Sequence, residues 1–516
     1  MSSSRLLKST GIVGLMTLLS RVLGFVRDIL FAAFFGAGPA MDVFLLALKI
    51  PNFGRRVFAE GALSQAFVPV FTEVKASGSH EDVRELFDVV AGTLGTVLAL
   101  VTLVGCLGAP LLVWVFAPGI ATDPTRHALA SELLRWTFPY LMLISLTALA
   151  GAVLNSFGRF AVPAFTPVIL NICLIGTVFV DAESVRVLAV GVFVAGIVQL
   201  LFQLPWLARL QLMPRPKWGG RDPRVRRIVK LMAPIVFGSS VAQISLLLDT
   251  VIASLLFAGS LSWLYYADRL MEFPLGIFSI AVATVILPNL SAQHVAQSTS
   301  RFSETLDWAL RVLLLLGVPA TAGLILLAGP LVSTLFLHGA FDLHDLDMTR
   351  WALMAYAFAF LGISLVKVLV PAFYARQQTG IPVRYGVISL VVGMLTSLSL
   401  VGLGLWLGWS APHVALACAT SASSLLNAGL LYRRLRRDGI YVPRPGWGAY
   451  FVRIGLALLA MVILVWFLAG PLESWTTVPL QERAVRLALL IVASVASYFG
   501  VLWICGLRLA HFRAQP

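Results

Sequence analysis

Four arginines sit where a lipid-facing helix tolerates none. Arg21 and Arg27 fall in SRVLGFVRD (20–28), Arg55 and Arg56 in KIPNFGRRVFAE (49–60), and both words lie within long apolar stretches. An arginine at the centre of a spanning helix costs about 2.5–3.5 kcal/mol on insertion scales, so four facing lipid would cost on the order of 10 kcal/mol. They must face water, an anion, or both. The planar guanidinium fork suits phosphate oxygens, so the chemistry indicated is recognition of an anionic substrate at membrane depth.

Carboxylates accompany these cations. Arg21, Gly24 and Asp28 share one helical face, with Arg27 rotated about 120° from Arg21 in an ideal helix. Both arginines reach one cavity only if the helix is flanked on two sides or breaks near Gly24. Asp42 and Lys49 are seven apart and Arg56 and Glu60 four apart, so each pair shares a face and can form an ion pair. Pro51 and Gly54 predict a kink or unwound turn between them. Further along, YYADRLMEFP (265–274) brings Asp268, Arg269 and Glu272 into an apolar segment, and Asp249 is the charge of the segment before it. Lys367 is the clearest charge elsewhere in a span. A purely structural role, internal salt bridges that hold the helices together, stays open for Asp42, Glu60, Asp268 and Glu272. In the first cluster cations outnumber acids, which favours an anion.

No Walker motif, HExxH, GxSxG or nucleophile–base pairing appears, so no catalytic residue, cofactor or metal site is expected. The four cysteines (Cys106, Cys173, Cys418, Cys505) are scattered singly through apolar segments and read as packed small hydrophobes. His338 and His344, among aspartates, read as part of a solvated external loop.

The elements that must position the charges are membrane spans. Of 516 residues 59% are hydrophobic and only 12% charged, against about 25% charged in soluble domains; mean hydropathy is +0.91. This excludes a soluble protein and predicts an all-α polytopic membrane protein. Fourteen apolar segments of spanning length centre near residues 22, 55, 100, 143, 170, 198, 242, 277, 315, 361, 393, 423, 458 and 496. The net charge of +14 sits mostly in short loops, where it orients the chain and does not bind nucleic acid. The loops at 208–230 and 432–446 are strongly basic and that at 337–349 is acidic, which predicts cytoplasmic termini. The basic, apolar N-terminus is interrupted by Arg21 and Arg27 and lacks a small-x-small site, so it reads as an uncleaved first helix.

The basic loops share words: MPRPKW (213–218) follows the sixth segment and VPRPGW (442–447) the twelfth. Pro69 and Pro288 end the second and eighth segments, Pro163 and Pro382 open the fifth and eleventh, and Asp28 is mirrored by Asp249, all at a nearly constant offset. We read two six-helix lobes, 1–220 and 221–440, as a parallel pseudo-repeat about the membrane normal. Two extra helices, 441–516, lie outside it. Charge at equivalent places in both repeats predicts one central cavity.

At these residues the chain resembles the MurJ/MviN family, the bacterial lipid II flippases. The resemblance runs nearly end to end and rests on SRVLGFVRD (20–28), FGAGPAMD (35–42), KIPNFGRRVFAEGALSQAFVPVF (49–71), YYADRLMEFP (265–274) and PGW (445–447). It implies a fold of the multidrug/oligosaccharidyl-lipid/polysaccharide exporter type in the bacterial cytoplasmic (inner) membrane. It also implies a substrate, the undecaprenyl-diphosphate-linked peptidoglycan precursor lipid II, bound at Arg21, Arg27, Arg55 and Arg269. Asp42 is implied as a required carboxylate, and the last two helices as a groove for the polyprenyl tail. Some members bind sodium near helices seven and eleven. Asp249 is available for such ion coupling here, although the eleventh segment offers no carboxylate. The partners expected are lipid II, membrane lipids and the cell-wall synthesis machinery, around a monomer.

The mechanism expected is alternating access driven by the membrane potential, with Asp28, Asp42, Lys49, Arg56, Glu60, Asp268 and Glu272 as gate or structural ion pairs. Competing readings are a related exporter of drugs or another polyprenyl-linked saccharide, a membrane glycosyltransferase, and a scaffold. A cation-drug exporter favours acidic cavities. A glycosyltransferase needs a catalytic carboxylate near a sizeable loop. A scaffold leaves the buried arginines unexplained.

Overall fold

The computed structural model describes residues 3–56, 63–295 and 298–507, and every regular element among them is a helix. The chain divides into two compact units, Met1–Ser262 and Trp263–Pro516. The first holds α1 (Ser3–Phe35), α2 (Pro39–Gly54), α3 (Ser64–Ser77), α4 (His80–Leu107), α5 (Ala109–Phe116), α6 (Pro118–Ala121), α7 (Pro124–Thr137), α8 (Pro139–Ser156), α9 (Ala161–Val178), α10 (Arg186–Arg209) and α11 (Pro223–Ser254). Then follows α12 (Ser260–Val295), whose first residues belong to the first unit and the rest to the second. The second unit continues with α13 (Thr299–Leu326), α14 (Ala328–Leu335), α15 (Leu343–Tyr374), α16 (Gly380–Trp406), α17 (Val414–Arg437), α18 (Trp447–Ala469), α19 (Glu473–Thr476) and α20 (Leu480–Ile504).

Ten helices among the described residues are long and apolar enough to cross a membrane. They match ten of the fourteen expected segments. The other four, near 22, 55, 242 and 277, are the ones that carry charge, and they form α1, α2 with α3, α11 and α12. Capping explains many helix starts. Ser79 and Asp82 form a reciprocal capping box at α4, as do Asp342 and Asp345 at α15, while Asp123 accepts the first-turn N–H groups of α7. Asp222 caps α11 and is gripped by Arg224, whose other partner is Glu85 of α4. The hydrogen bond from Arg224 holds the Asp222 carboxyl below the usual carboxylate range, so this cap keeps its charge at neutral pH.

Of the two ways left open for Arg21 and Arg27 to reach one cavity, a break near Gly24 is absent, since α1 is continuous there. Asn171 of α9 lies against Gly24, where a Cβ would make ordinary van der Waals contact at 3.6 Å from the amide nitrogen. The expectation that Pro69 and Pro288 end helices is corrected: α3 and α12 run on past them. A membrane helix absorbs a proline because neighbouring groups satisfy the freed carbonyl. The expected irregularity after Pro51 is present, as a wider π-type turn at Arg55–Arg56.

The repeated loop words are held alike. In the first unit, buried Asp88 of α4 accepts the Arg215 N–H at 2.7 Å, and the Asp88 carbonyl accepts that of Lys217 at 3.0 Å. In the second, buried Asp307 of α13 accepts the Arg444 N–H at 3.2 Å, the Tyr441 hydroxyl at 2.7 Å and the Trp447 indole at 2.8 Å. Arg311 neutralises Asp307 at 2.7 Å and lies over the Trp447 ring. MPRPKW crosses α4 where there is no side chain: a Cβ at Gly92 would stand 2.2 Å from the Lys217 carbonyl oxygen. Because the obstacle is backbone, overpacking at the usual cost of about 1–3 kcal/mol outweighs the roughly 1 kcal/mol gained in helix propensity. Gly92→Ala is therefore expected to lower the melting temperature and speed proteolysis between 211 and 222. Unchanged values of both would contradict the close crossing.

The two helices outside the sequence repeat, α18 and α20, pack on each other and on α13 and α14. The Tyr498 hydroxyl donates to the Leu315 carbonyl at 2.9 Å, and buried Arg483 donates to that of Ser333 at 2.6 Å. Their outer faces expose Phe451, Leu459, Trp466, Leu489 and Trp503, as lipid-facing helices do.

Candidate functional site

Arg27 is buried on α1, at 8% exposure, beside Asp28 at 2%. Its Nε and Nη2 donate to Asp28 Oδ1 at 3.0 and 2.7 Å, and its Nη1 donates to Asn171 Oδ1 of α9 at 3.0 Å. The guanidinium also lies 5.5 Å from the Phe31 ring centroid. A buried cation thus has a carboxylate beside it, a neutral acceptor across the helix interface and an aromatic flank. This lowers the cost of keeping it charged at membrane depth. Asp28 is the resting partner of Arg27, and an incoming anion would compete for the same N–H groups.

Arg21 is exposed and makes no side-chain hydrogen bond or ion pair among the described residues. The face of α1 that meets α9 is built from Ser20, Gly24 and Arg27. Of the Arg21–Gly24–Asp28 face, Gly24 lies against Asn171 and Asp28 is buried, while Arg21 is exposed. Arg55 is half-buried, with Nε donating to Asn52 Oδ1 at 3.1 Å, and Arg56 is exposed. The wide turn that carries them sets both arginines outside ordinary helical register. The expected partner of Arg56, Glu60, lies outside the described residues.

Asp42 is buried on α2 and takes partners other than Lys49. Its Oδ2 accepts the Gly259 N–H at 2.6 Å; its Oδ1 accepts the Ser262 N–H at 2.9 Å and the Ser262 hydroxyl at 2.7 Å. Arg126 of α7 stands 3.9 Å away. These N–H groups are the unsatisfied donors at the positive end of α12, so Asp42 caps a helix remote in sequence. The Asp42–Lys49 pair is therefore corrected: a chain turn brings in better donors than an ammonium one helical face along. Lys49 turns to α11, donating to Thr250 Oγ1 at 3.3 Å, and its charge acts on the half-buried Asp249. Asp249 thus has a cation facing it.

In the second unit Arg269 pairs with Glu272 at 2.7 Å and lies 4.9 Å from the Tyr265 ring centroid. Asp268 is half-buried one residue before it. No cluster of three or more metal-ligating side chains occurs among the described residues.

Asn171, Thr250, Arg126 and Ser262 were not singled out from sequence. Asn171 did carry a signal: it is the one carboxamide in the apolar run of α9, AVPAFTPVILNICLIGTV, and such groups in spans find partners. Which partner, only the packing of α1 on α9 decides.

Comparison with known proteins places this architecture. The family model described as "Lipid II flippase MurJ" matches residues 31–485. A probable lipid II flippase MurJ of Vibrio cholerae is 46% identical, over 99% of this chain and 98% of its own length. The lipid II flippase MurJ of Burkholderia cenocepacia is 40% identical over 97% of each. A solved structure of a lipid II flippase MurJ, in an inward closed conformation, superposes with a TM-score of 0.77 at 25% identity, covering 95% of this chain and 98% of that one. An inward-facing multidrug transporter of the MATE family shares the fold alone, with a TM-score of 0.60 at 12% identity. With residues 31–485 matched by the family model and a relative 46% identical along nearly the whole length, the chain belongs to the lipid II flippase MurJ family.

Proposed function

We propose that this protein is a lipid II flippase: a multi-pass transporter of the inner membrane, not an enzyme. It moves the undecaprenyl-diphosphate-linked peptidoglycan precursor from the inner to the outer leaflet. The observation that carries this reading is Arg27, a buried guanidinium held by Asp28 and Asn171 at membrane depth in a chain whose family is named for that activity. Fourteen spans with cytoplasmic termini, in two six-helix lobes (1–220 and 221–440) plus the final pair (441–516), form the frame of the proposal.

Arg21, Arg27 and Arg55 bind the diphosphate, and Arg269, their counterpart in the sequence repeat, joins them during alternating access. The substrate displaces Asp28 from Arg27 as it enters. Asp42, by capping α12, holds the outer side closed, and Lys49, hydrogen-bonded to Thr250, joins α2 to α11. The polyprenyl tail stays in lipid or along α18 and α20. The protein works as a monomer among membrane lipids and passes its product to the cell-wall synthesis machinery.

The membrane potential supplies the drive. Moving negative charge outward across an inside-negative membrane gains about 2.3 kcal/mol per charge per 100 mV, and the emptied cationic site is drawn back by the same field. Purified protein in vesicles of defined potential tests both parts. Translocation of lipid II that rises with an inside-negative potential is the expected result. Undiminished flipping with the potential dissipated would remove the driving force, and absence of flipping at every potential would remove the function.

A further inference from the structure

Asn171 is 5% exposed, in the middle of an apolar helix, and both ends of its amide are engaged. Oδ1 accepts from Arg27 Nη1 at 3.0 Å. Nδ2 donates to the Ser20 carbonyl at 2.9 Å and approaches the Ser20 hydroxyl at 3.4 Å. The chemistry of the partners fixes the orientation of the amide. A guanidinium only donates, so it must meet the oxygen, and a carbonyl only accepts, so it must meet the nitrogen.

We infer that Asn171 is a positioning residue for anion recognition: it sets the plane of the Arg27 guanidinium and ties that plane to the backbone of α1 one residue before Arg21. The inference rests on the reading of Arg27 as a diphosphate ligand. The contacts of Asp28 to Arg27 at 3.0 and 2.7 Å converge on one oxygen, Oδ1, whereas the Asn171 contact brings an acceptor from a different helix to the other end of the fork. A neutral amide suits the role. A carboxylate here would add a second negative charge beside the substrate, and an apolar side chain would remove the α9 acceptor from Nη1. Ser20, Gly24 and Arg27 recur at i, i+4 and i+7, so the amide spans two turns on one face of α1.

The test is a double-mutant cycle in lipid II binding, with the full-length chain in nanodiscs and Arg27→Gln, Asn171→Leu and the double variant compared. Asn171→Leu keeps the branching and number of side-chain heavy atoms and removes both contacts. It is expected to weaken binding about tenfold in the native background and to have no further effect once Arg27 is glutamine. If Asn171→Leu does not yield folded protein, Asn171→Ser, too short to reach Arg27, is read the same way. Wild-type affinity for the Asn171 variant beside weak binding by Arg27→Gln would overturn the positioning role and leave the diphosphate reading intact. Wild-type affinity for Arg27→Gln would remove that reading and this inference with it. Independent, additive losses would show that Asn171 acts on helix packing and not through Arg27, and would also overturn it.

Discussion

Arg27→Gln is expected to lower lipid II translocation by about 100-fold or more. Hydrogen bonds to a charged group contribute about 1.5–3 kcal/mol each, and a fork makes two on one phosphate. At 1.4 kcal/mol per factor of ten, their loss accounts for that reduction even though glutamine keeps much of the bulk and some hydrogen bonding. Stability falls as well, because the buried Asp28 carboxylate loses the guanidinium that neutralises it, and breaking a buried pair costs about 3–5 kcal/mol. The two effects separate in the double variant Arg27→Gln with Asp28→Asn. It removes both charges, so its melting temperature should recover while its translocation should not. Full translocation by Arg27→Gln in vesicles would end the diphosphate-clamp role. Recovery of translocation in the double variant would make Arg27 a structural counter-ion of Asp28 and nothing more.

The second large effect is expected at Asp42. Its carboxylate satisfies two backbone N–H groups and a hydroxyl at the start of α12. Alanine would leave these donors buried without an acceptor, at about 1–3 kcal/mol each, and would withdraw negative charge from the positive end of the helix. We expect Asp42→Ala to lose on the order of 3–5 kcal/mol of stability and to translocate poorly, because the start of α12 no longer closes on α2. Asparagine keeps one oxygen in place and should fall between alanine and the native residue. Thermal unfolding and vesicle translocation, measured on the same preparations, check this. An Asp42→Ala protein that melts like the native chain would show that the cap carries no weight.

Much of the frame was legible without coordinates. Ten of the expected segments reappear as helices of spanning length, since twenty or so apolar residues have few other ways to satisfy their backbone in lipid. The loop words MPRPKW and VPRPGW were visible as a repeat, but what makes them alike was not. Each is held by a buried aspartate, Asp88 or Asp307, from a helix more than a hundred residues earlier. The Asp42–Lys49 pairing within α2 was misjudged for a related reason. Helical spacing lists which side chains share a face, yet Asp42 found stronger donors in backbone N–H groups, which carry no sequence signature. Whether α1 breaks near Gly24 was left open by helical spacing, and the structure answers it: α1 runs through without a break.

By itself, then, the sequence determined that this is a multi-pass membrane protein and where ten of its spans lie. Those conclusions follow from transfer free energies that depend on residue type and run length alone. Only the tertiary structure decided which arginine is buried and what holds it, that Asn171 of α9 shares Arg27 with Asp28, and that Asp42 caps α12. These depend on which helices touch and at what rotation, which is settled by the packing of many side chains at once. No short stretch of the chain records it.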